Sequence, residues 1–346
     1  MNGKSPAVIS VVVVNYNRAE MLESCLASLG RQTFREFEVV VVDNGSSDSS
    51  PGYIKSCLGG LVDKAVLLGS NTGFTGGCNR GIEQSSGEYI ALINNDAEAE
   101  PEWLSSLIAA AEKQSSAGMW ASKILFHGTD IIDKAGHLIF PDGQNRGRGT
   151  GEKDLGQYQV SEEVLLPDGC AAMYRRELLE ETGGFDEDFF AYADDADLGL
   201  RARWLGWECF YVPEAVVYHH HSSTTGSFDP GKIYWVERNR IWLAVKTFPL
   251  PLLFLSPLFT VYRNFWNLLS AVSGRGAAGS FRGKHSWSAL ISVLVRAQCA
   301  GWAGVFSQIR KRSEVMKSRR IKTAEFIRIL MKFRISARRL TMEGRQ

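Results

Sequence analysis

The chain has 346 residues, 45% of them hydrophobic and 22% charged, a composition that fits one large folded core with an appendage. Its six cysteines (Cys25, Cys57, Cys78, Cys170, Cys209, Cys299) form no CxxC pair. That argues against a zinc cage or a disulfide framework and fits a reducing compartment. The net charge of +1 hides a division: residues 1–273 carry 22 Lys/Arg against 35 Asp/Glu, and residues 274–346 carry 17 against 3. An acidic body and a basic tail point to different partners.

The β-branched run at residues 8–14 lacks a small-residue cleavage site and reads as a buried strand rather than a signal peptide. Asn17 and Glu20 have capping-box spacing, and Met21, Leu22, Cys25, Leu26 and Leu29 then recur at helical intervals up to Gly30. A second apolar run, 37–42, ends at Asp43-Asn44-Gly45-Ser46-Ser47-Asp48. Strand, helix and strand predict a parallel pair with a right-handed crossover. Next come a short strand at 66–68, a glycine-rich loop at 71–77 and a short helix through Asn79 to Gln84. A strand at 89–93 stops at Asn94-Asn95-Asp96, and a helix starts at Pro101 with Leu104, Leu107, Ile108 and Ala111 on one face. The alternation predicts an α/β protein with a mostly parallel sheet. Ligands of such sheets bind beyond the carboxyl ends of the strands, here marked by Asn15/Asn17, Asp43 and Asn94/Asp96.

Residues 127–165 read as a polar insertion, partly mobile, with a hairpin around Pro141-Asp142-Gly143. Residues 184–201 then crowd acids between aromatic rings and turn helical. Carboxylates packed into a partly dry pocket raise one another's pKa, which prepares one of them to take a proton or hold a cation. Asp186, Glu187 and Asp188 suit loop and cap roles, and Trp204 and Trp207 suit the core. Two short strands, 210–212 and 215–218, lead to His219-His220-His221, of which alternation puts His219 and His221 on one face.

In this order the motifs resemble the family 2 glycosyltransferases of the GT-A fold, especially bacterial rhamnosyltransferase-like members, over roughly residues 8–245. The resemblance rests on Val13-Val14-Asn15-Tyr16-Asn17-Arg18, residues 42–48, Asn71-Thr72-Gly73-Phe74-Thr75-Gly76-Gly77-Cys78-Asn79, Leu92-Ile93-Asn94-Asn95-Asp96, Gly169-Cys170-Ala171-Ala172-Met173, residues 183–187 and Asp194-Asp195-Ala196-Asp197-Leu198. It implies a GT-A domain over 1–245 and an inverting transfer from a dTDP- or UDP-sugar. Asp43 would take the nucleotide base, with Asn15, Asn17, Asn71, Gly73, Phe74, Asn79, Asn94 and Asn95 also on the donor side. Asp195 would be the catalytic base, with Gly169, Asp186 and Asp194 on the acceptor side. Asp96 and His219 would hold Mn²⁺ or Mg²⁺. The chain departs from the family's Asp-x-Asp element at Asn94, whose amide can hydrogen-bond but adds no charge.

The tail, 246–346, opens on an apolar stretch, 248–262, interrupted by Pro249, Pro251 and Pro257 and too short for the ~20 residues of a membrane span. Trp287, Leu290, Ile291 and Leu294, then Trp302, Val305, Phe306 and Ile309, then Phe326, Ile329, Leu330 and Phe333 recur at helical spacing among basic residues. Such helices suit an anionic membrane surface, and the expectation is a peripheral protein on the cytoplasmic face of the bacterial plasma membrane, beside a polyprenyl-diphosphate-linked acceptor. The competing reading is a dimer interface or a lid over the sheet. Nucleic acid ranks last, because the acidic body repels phosphate. Two other functions stay open: a sugar-1-phosphate nucleotidyltransferase, whose Arg-bearing glycine loop is missing here, and a non-catalytic sugar-nucleotide or lipid-binding scaffold.

Overall fold

A computed structural model describes residues 7–220, 229–276, 278–279 and 286–342; His221 lies outside them. Strands β1 (Ile9–Asn15), β2 (Phe37–Asp43), β3 (Lys64–Leu67) and β4 (Tyr89–Asn94) alternate with helices α1 (Ala19–Gly30), α2 (Ser50–Cys57) and α3 (Gly73–Gln84). After β5 (Ala97–Ala99) and α4 (Trp103–Lys113) come β6 (Ala117–Phe126), β7 (Ile132–Lys134), β8 (His137–Ile139), β9 (Asn145–Gly147), β10 (Glu162–Glu163) and β11 (Ala171–Arg175). Helices α5 (Arg176–Thr182) and α6 (Asp194–Trp204) precede β12 (Glu208–His219). The main sheet runs β10-β12-β6-β11-β4-β1-β2-β3. β1 pairs parallel with both β2 and β4, as the strand–helix–strand pattern predicts, and β11 enters antiparallel between β4 and β6. Valines of β1 and β2 are buried on both faces, because helices cover both sides.

Several local expectations change. Asn17 does not cap α1: it and Arg18 have φ of 60° and 63°, and Asp48 Oδ2 accepts from Ala19 N at 3.1 Å from across the neighbouring loop. The glycine-rich segment is the start of α3 rather than a loop before it. A Cβ on Gly77 would stand 2.5 Å from Val14, and one on Gly81 2.2 Å from Val12, so these glycines let α3 lie directly on β1. The two short strands near 210–218 are one strand, β12, whose register shifts between Val212 and Val216, around Pro213. The expected hairpin around Pro141-Asp142-Gly143 is present as β8 and β9, and Asp133, His137 and Asp142 within the 127–165 segment are buried.

The C-terminal part is helical: α7 (Pro230–Thr247), α8 (Leu250–Ser273), α9 (Trp287–Ala303), α10 (Val305–Ser318), α11 (Thr323–Lys332) and α12 (Ala337–Met342). The prolines do not break α8. Pro251 lies in its first turn, and the Leu253 carbonyl that Pro257 cannot serve accepts instead from Ser256 Oγ at 2.8 Å. These helices share a core with the sheet domain, where Trp204 stacks on Phe326 at 3.9 Å and Ile139, Leu166 and Phe189 pack with Leu243, Phe248 and Leu330. Part of the tail's positive charge is spent on the acidic body: Lys311 pairs with Asp186 and Asp188, Arg320 with Glu181, Lys332 with Glu163 and Arg339 with Glu152. All six cysteines are unpaired.

A buried ionic network fastens α8. Arg263 binds both oxygens of Glu237 at 2.8 and 2.9 Å and Asp142 at 2.7 Å, and Arg240 reaches Glu237 at 3.2 Å. Arg263→Leu would leave two buried carboxylates without their main cation, and is expected to destabilise the fold by roughly 3–5 kcal/mol in urea denaturation at neutral pH. Burial alone would raise the Glu237 pKa, but Arg263 and then Arg240 hold it down to about 2. Its contribution is therefore present above the ordinary carboxylate range and lost as pH falls toward 2. The stability gap between wild type and Glu237→Gln is expected to shrink over that fall.

Candidate active site

The in-register ladder sets Asn15 opposite Asp43, and Val14 opposite Asn94, so the ends of β1, β2 and β4 form one polar edge. Asn15 is fully buried and joins its neighbours: Nδ2 donates to Asp43 Oδ1 at 3.1 Å and to Ser46 Oγ at 3.2 Å, while Oδ1 accepts from Asn95 Nδ2 at 2.8 Å. Asp43 Oδ2 also accepts from Ser46 N. Asn17 Oδ1 accepts from Ser47 N at 2.8 Å. Asn71 Oδ1 accepts from Asn44 Nδ2 and from Gly73 N, so this asparagine shapes the entry to α3. Asn79 pairs with the backbone of Phe185 through both ends of its amide at 2.9 Å, and Phe74 packs edge-on to the Phe185 ring. The half-buried Asn94 ends β4, and its N–H donates to Cys170 O.

Beside this edge, Asp96 Oδ1 faces His219 Nε2 at 3.3 Å, and His219 Nδ1 meets the fully buried Asp133 Oδ2 at 2.8 Å. Burial opposes the charged imidazole, but Cys170, Asp133 and Asp96 together push the His219 pKa well up. A carboxylate oxygen facing an imidazole nitrogen that a second carboxylate orients is a donor set that can hold a divalent cation.

The acidic cluster divides its residues between different tasks. Asp195, in the first turn of α6, accepts from Gly169 N at 3.3 Å and lies 3.6 Å from His137 Nε2. His137 Nε2 is 2.8 Å from Asp168 Oδ2, which Lys134 Nζ reaches at 2.6 Å. A chain of contacts, Lys134–Asp168–His137–Asp195, thus ends on the carboxylate. Burial raises the Asp195 pKa, His137 pulls it down and Asp168 raises it again, with a net upward shift. Asp168 stays well below the carboxylate range because Lys134 and His137 outweigh its burial. His137, Asp168 and Asp195 have the spacing of a metal cluster, but the Lys134 ammonium already supplies its positive charge. Asp194 is buried, and burial followed by the Asp195 charge raises its pKa well up. Asp197 is taken by Arg201 at 2.8 Å and Lys246 at 2.9 Å. Asp186 caps the short 3-10 turn at Glu187–Phe189 and binds Lys246 at 2.6 Å and Lys311 at 2.5 Å, so its carboxylate faces α7 and α10. Burial alone would raise its pKa, but these two lysines lower it to about 2.

The backbone leading into α6 is strained, with φ of 66° at Phe190, 68° at Tyr192 and 58° at Ala193, each costing on the order of 1–2 kcal/mol for a residue with a Cβ. Asn239, fully buried on α7, holds it: Nδ2 donates to the carbonyls of Phe189, Ala191 and Tyr192 at 3.0, 2.8 and 2.7 Å. Arg238 donates to the Asp188 and Phe189 carbonyls, and Phe190 stacks on Trp235 at 5.1 Å. The residues not anticipated from the sequence are therefore Lys134, His137, Asp168, Asp133 and Asn239. Four consecutive polar residues, Glu237 to Arg240, between the apolar Val236 and Ile241 were the available signal for α7. Nothing in linear spacing marked the others.

Comparison with known proteins bears on the family and the fold. The model of the family described as glycosyl transferase family 2 matches residues 10–183, and that of glycosyl transferase family group 2 matches residues 150–297. The chain is 30% identical to an N-acetylglucosaminyl-diphospho-decaprenol L-rhamnosyltransferase of Mycobacterium tuberculosis, over 63% of this chain and 78% of the relative. It is 25% identical to the amylovoran biosynthesis glycosyltransferase AmsB of Erwinia amylovora, over 66% and 76%. Among solved structures, S. aureus TarS 1–349 in complex with UDP-GlcNAc aligns with a TM-score of 0.53 at 19% identity, covering 93% of this chain and 89% of that one. The mannosyltransferase PcManGT from Pyrobaculum calidifontis, in complex with GDP-Man and Mn²⁺, aligns with a TM-score of 0.53 at 18% identity, covering 91% and 86%. With the family model spanning half of the chain and the sheet topology in place, the chain belongs to glycosyl transferase family 2 and has the GT-A fold.

Proposed function

We propose that this glycosyltransferase inverts the anomeric centre as it moves rhamnose from dTDP-rhamnose to a polyprenyl-diphosphate-linked glycan, working at the cytoplasmic face of a bacterial plasma membrane. The observation that carries the reading is that Asn15–Asp43–Asn95 and Asp96–His219 stand at the carboxyl ends of β1, β2 and β4, with Asp195 bound to the N–H of Gly169, next to the Cys170 whose carbonyl accepts from Asn94 N. The sugar and the lipid carrier are those of the mycobacterial relative, an N-acetylglucosaminyl-diphospho-decaprenol L-rhamnosyltransferase.

In this reading Asp43 and Asn15 hold the donor base. Asp96 and His219 fit Mn²⁺ or Mg²⁺, an oxygen and an imidazole nitrogen that can share the ion with phosphate oxygens. Bound there, the ion would offset charge on the departing diphosphate. Asp195 accepts the proton of the acceptor hydroxyl as its oxygen attacks the anomeric carbon. The dipole at the start of α6 favours the ionised carboxylate, while burial keeps it basic enough to take the proton.

The acceptor's lipid calls for a membrane-facing surface, and α8 offers one. Phe254, Leu258, Val261, Phe265, Leu268 and Val272, spaced three and four apart, are all more than half exposed along one side. No single described helix is long and apolar enough to cross a membrane, although α9 and α10, bent by 53°, pass that test as a pair. The exposed stripe fits a helix lying in the lipid interface.

Asp195→Asn is expected to lower kcat by roughly 10²–10⁴-fold while leaving donor affinity intact, in a radiolabelled-sugar assay with calorimetry for binding. His137→Gln removes an influence that lowers the Asp195 pKa, so the acidic limb of its pH–rate profile is expected at higher pH than in wild type. Asn239→Ala leaves buried carbonyls without their donor, at about 1–3 kcal/mol. It is expected to reduce kcat with little change in donor KM. In flotation with anionic liposomes the full chain is expected to rise, and a variant with serine at Phe254, Leu258, Val261 and Phe265 to stay at the bottom; wild-type protein that sediments contradicts the membrane reading. A dTDP-, UDP- and GDP-sugar panel tests the donor, and rates on dTDP-rhamnose no better than on the others would remove the rhamnose assignment.

A further inference from the structure

A second group of ligating side chains lies next to the donor pair but points elsewhere. Glu98 on β5, His127 just past β6 and His220 just past β12 converge although they are far apart in sequence. Glu98 Oε1 is 3.0 Å from His220 Nε2 and 3.5 Å from His127 Nε2. The three ligand atoms all lie within 4.8 Å of one another. The backbone fixes them from below: Glu98 pairs with Tyr218 in the β5–β12 ladder, His127 N donates to His219 O at 3.0 Å, and His220 N donates to Asp96 O at 2.9 Å. Because side chains alternate along an extended strand, Glu98 and His220 face away from the side that Ala97 and His219 occupy.

We propose that Glu98, His127 and His220 form a binding site for a divalent transition-metal ion of the Zn²⁺ type, separate from the Asp96–His219 pair. The two imidazoles stack at 3.8 Å with 19° between their planes, and His127 meets Tyr218 edge-on at 6.5 Å. Both rings bring Nε2 to the same carboxylate oxygen, so one cation can replace the protons that would otherwise mediate those contacts. His127 is exposed and the other two residues are half-buried, which lets the rings splay to aim at the ion and leaves room for water to complete its shell. Two imidazole nitrogens and one carboxylate oxygen suit Zn²⁺, Co²⁺ or Ni²⁺, whereas Mg²⁺ prefers an octahedral set of oxygens. The donor pair offers one imidazole to the other site's two, so the sites differ in softness as well as in direction. An ion held here would brace the two backbone positions, Asp96 and His219, that carry the donor pair.

Equilibrium dialysis of the full chain against Zn²⁺ in excess Mg²⁺ tests the assignment. In an Asp96→Asn background, which weakens the neighbouring pair, adding His127→Ala and His220→Ala is expected to remove one bound equivalent of Zn²⁺. With Co²⁺ the same comparison is expected to lose the visible absorption of a nitrogen-ligated ion. If the combined variant does not fold, Glu98→Gln serves in its place: Zn²⁺ is expected to raise the thermal transition of wild type clearly more than that of Glu98→Gln. Equal Zn²⁺ stoichiometry with and without the histidines, full displacement by Mg²⁺, or equal thermal shifts in wild type and Glu98→Gln would overturn the proposal. None of these readouts depends on sugar transfer, so the outcome is independent of the function proposed above.

Discussion

β1 is held in register between β2 and β4, and the polar edge of the molecule exists because of that ladder. Residue for residue, the pairing stops at Asn15, Asp43 and Asn94, so three loops from distant parts of the chain leave the sheet at one place. Asn15 then closes the arrangement. An amide buried without partners costs free energy, and this one satisfies itself by donating to Asp43 and accepting from Asn95. The close seating of α3 on β1, which glycines 77 and 81 permit, keeps the opposite face of the same strand covered.

A second constraint comes from α7, which ties the acidic segment to the C-terminal helices. Its Asn239 amide gathers the carbonyls of a backbone that the residues there would not adopt alone, and its Lys246 neutralises Asp186 and Asp197. On its other side it shares the Glu237–Arg263 network with α8. One helix therefore joins the loop ahead of Asp195 to the helix that bears the exposed apolar stripe. The charge division along the sequence acquires a second meaning, since Lys311, Arg320, Lys332 and Arg339 meet acidic residues of the sheet domain. Their charge serves docking within the chain as well as any outside partner.

Much of the fold was legible because local pattern and tertiary role coincide. Buried parallel strands must be apolar on both faces, so 8–14 and 37–42 announced themselves, and each ended on the polar residue that marks its loop. The helix start at Asn17 was misread because the cap comes from Asp48, on another loop, where no i to i+3 spacing can show it. β12 looked like two strands because Pro213 interrupts its pattern, while the ladder resumes beyond the bulge. Lys134 and His137 were unreadable for a related reason: they sit in a polar, turn-rich segment whose hairpin becomes meaningful only when it folds over Asp168.

The sequence by itself determined the parallel strands β1 to β4, their polar ends, the density of acids near Asp195 and the basic character of the tail, because these are matters of local composition and spacing. Only the tertiary structure decided which acids are neutralised and which remain basic. Asp186 and Asp197 meet lysine and arginine from other elements, whereas Asp195 meets a histidine that is itself held by another aspartate. Electrostatic roles depend on distance and burial, and both are set by contacts between residues that the linear chain keeps far apart.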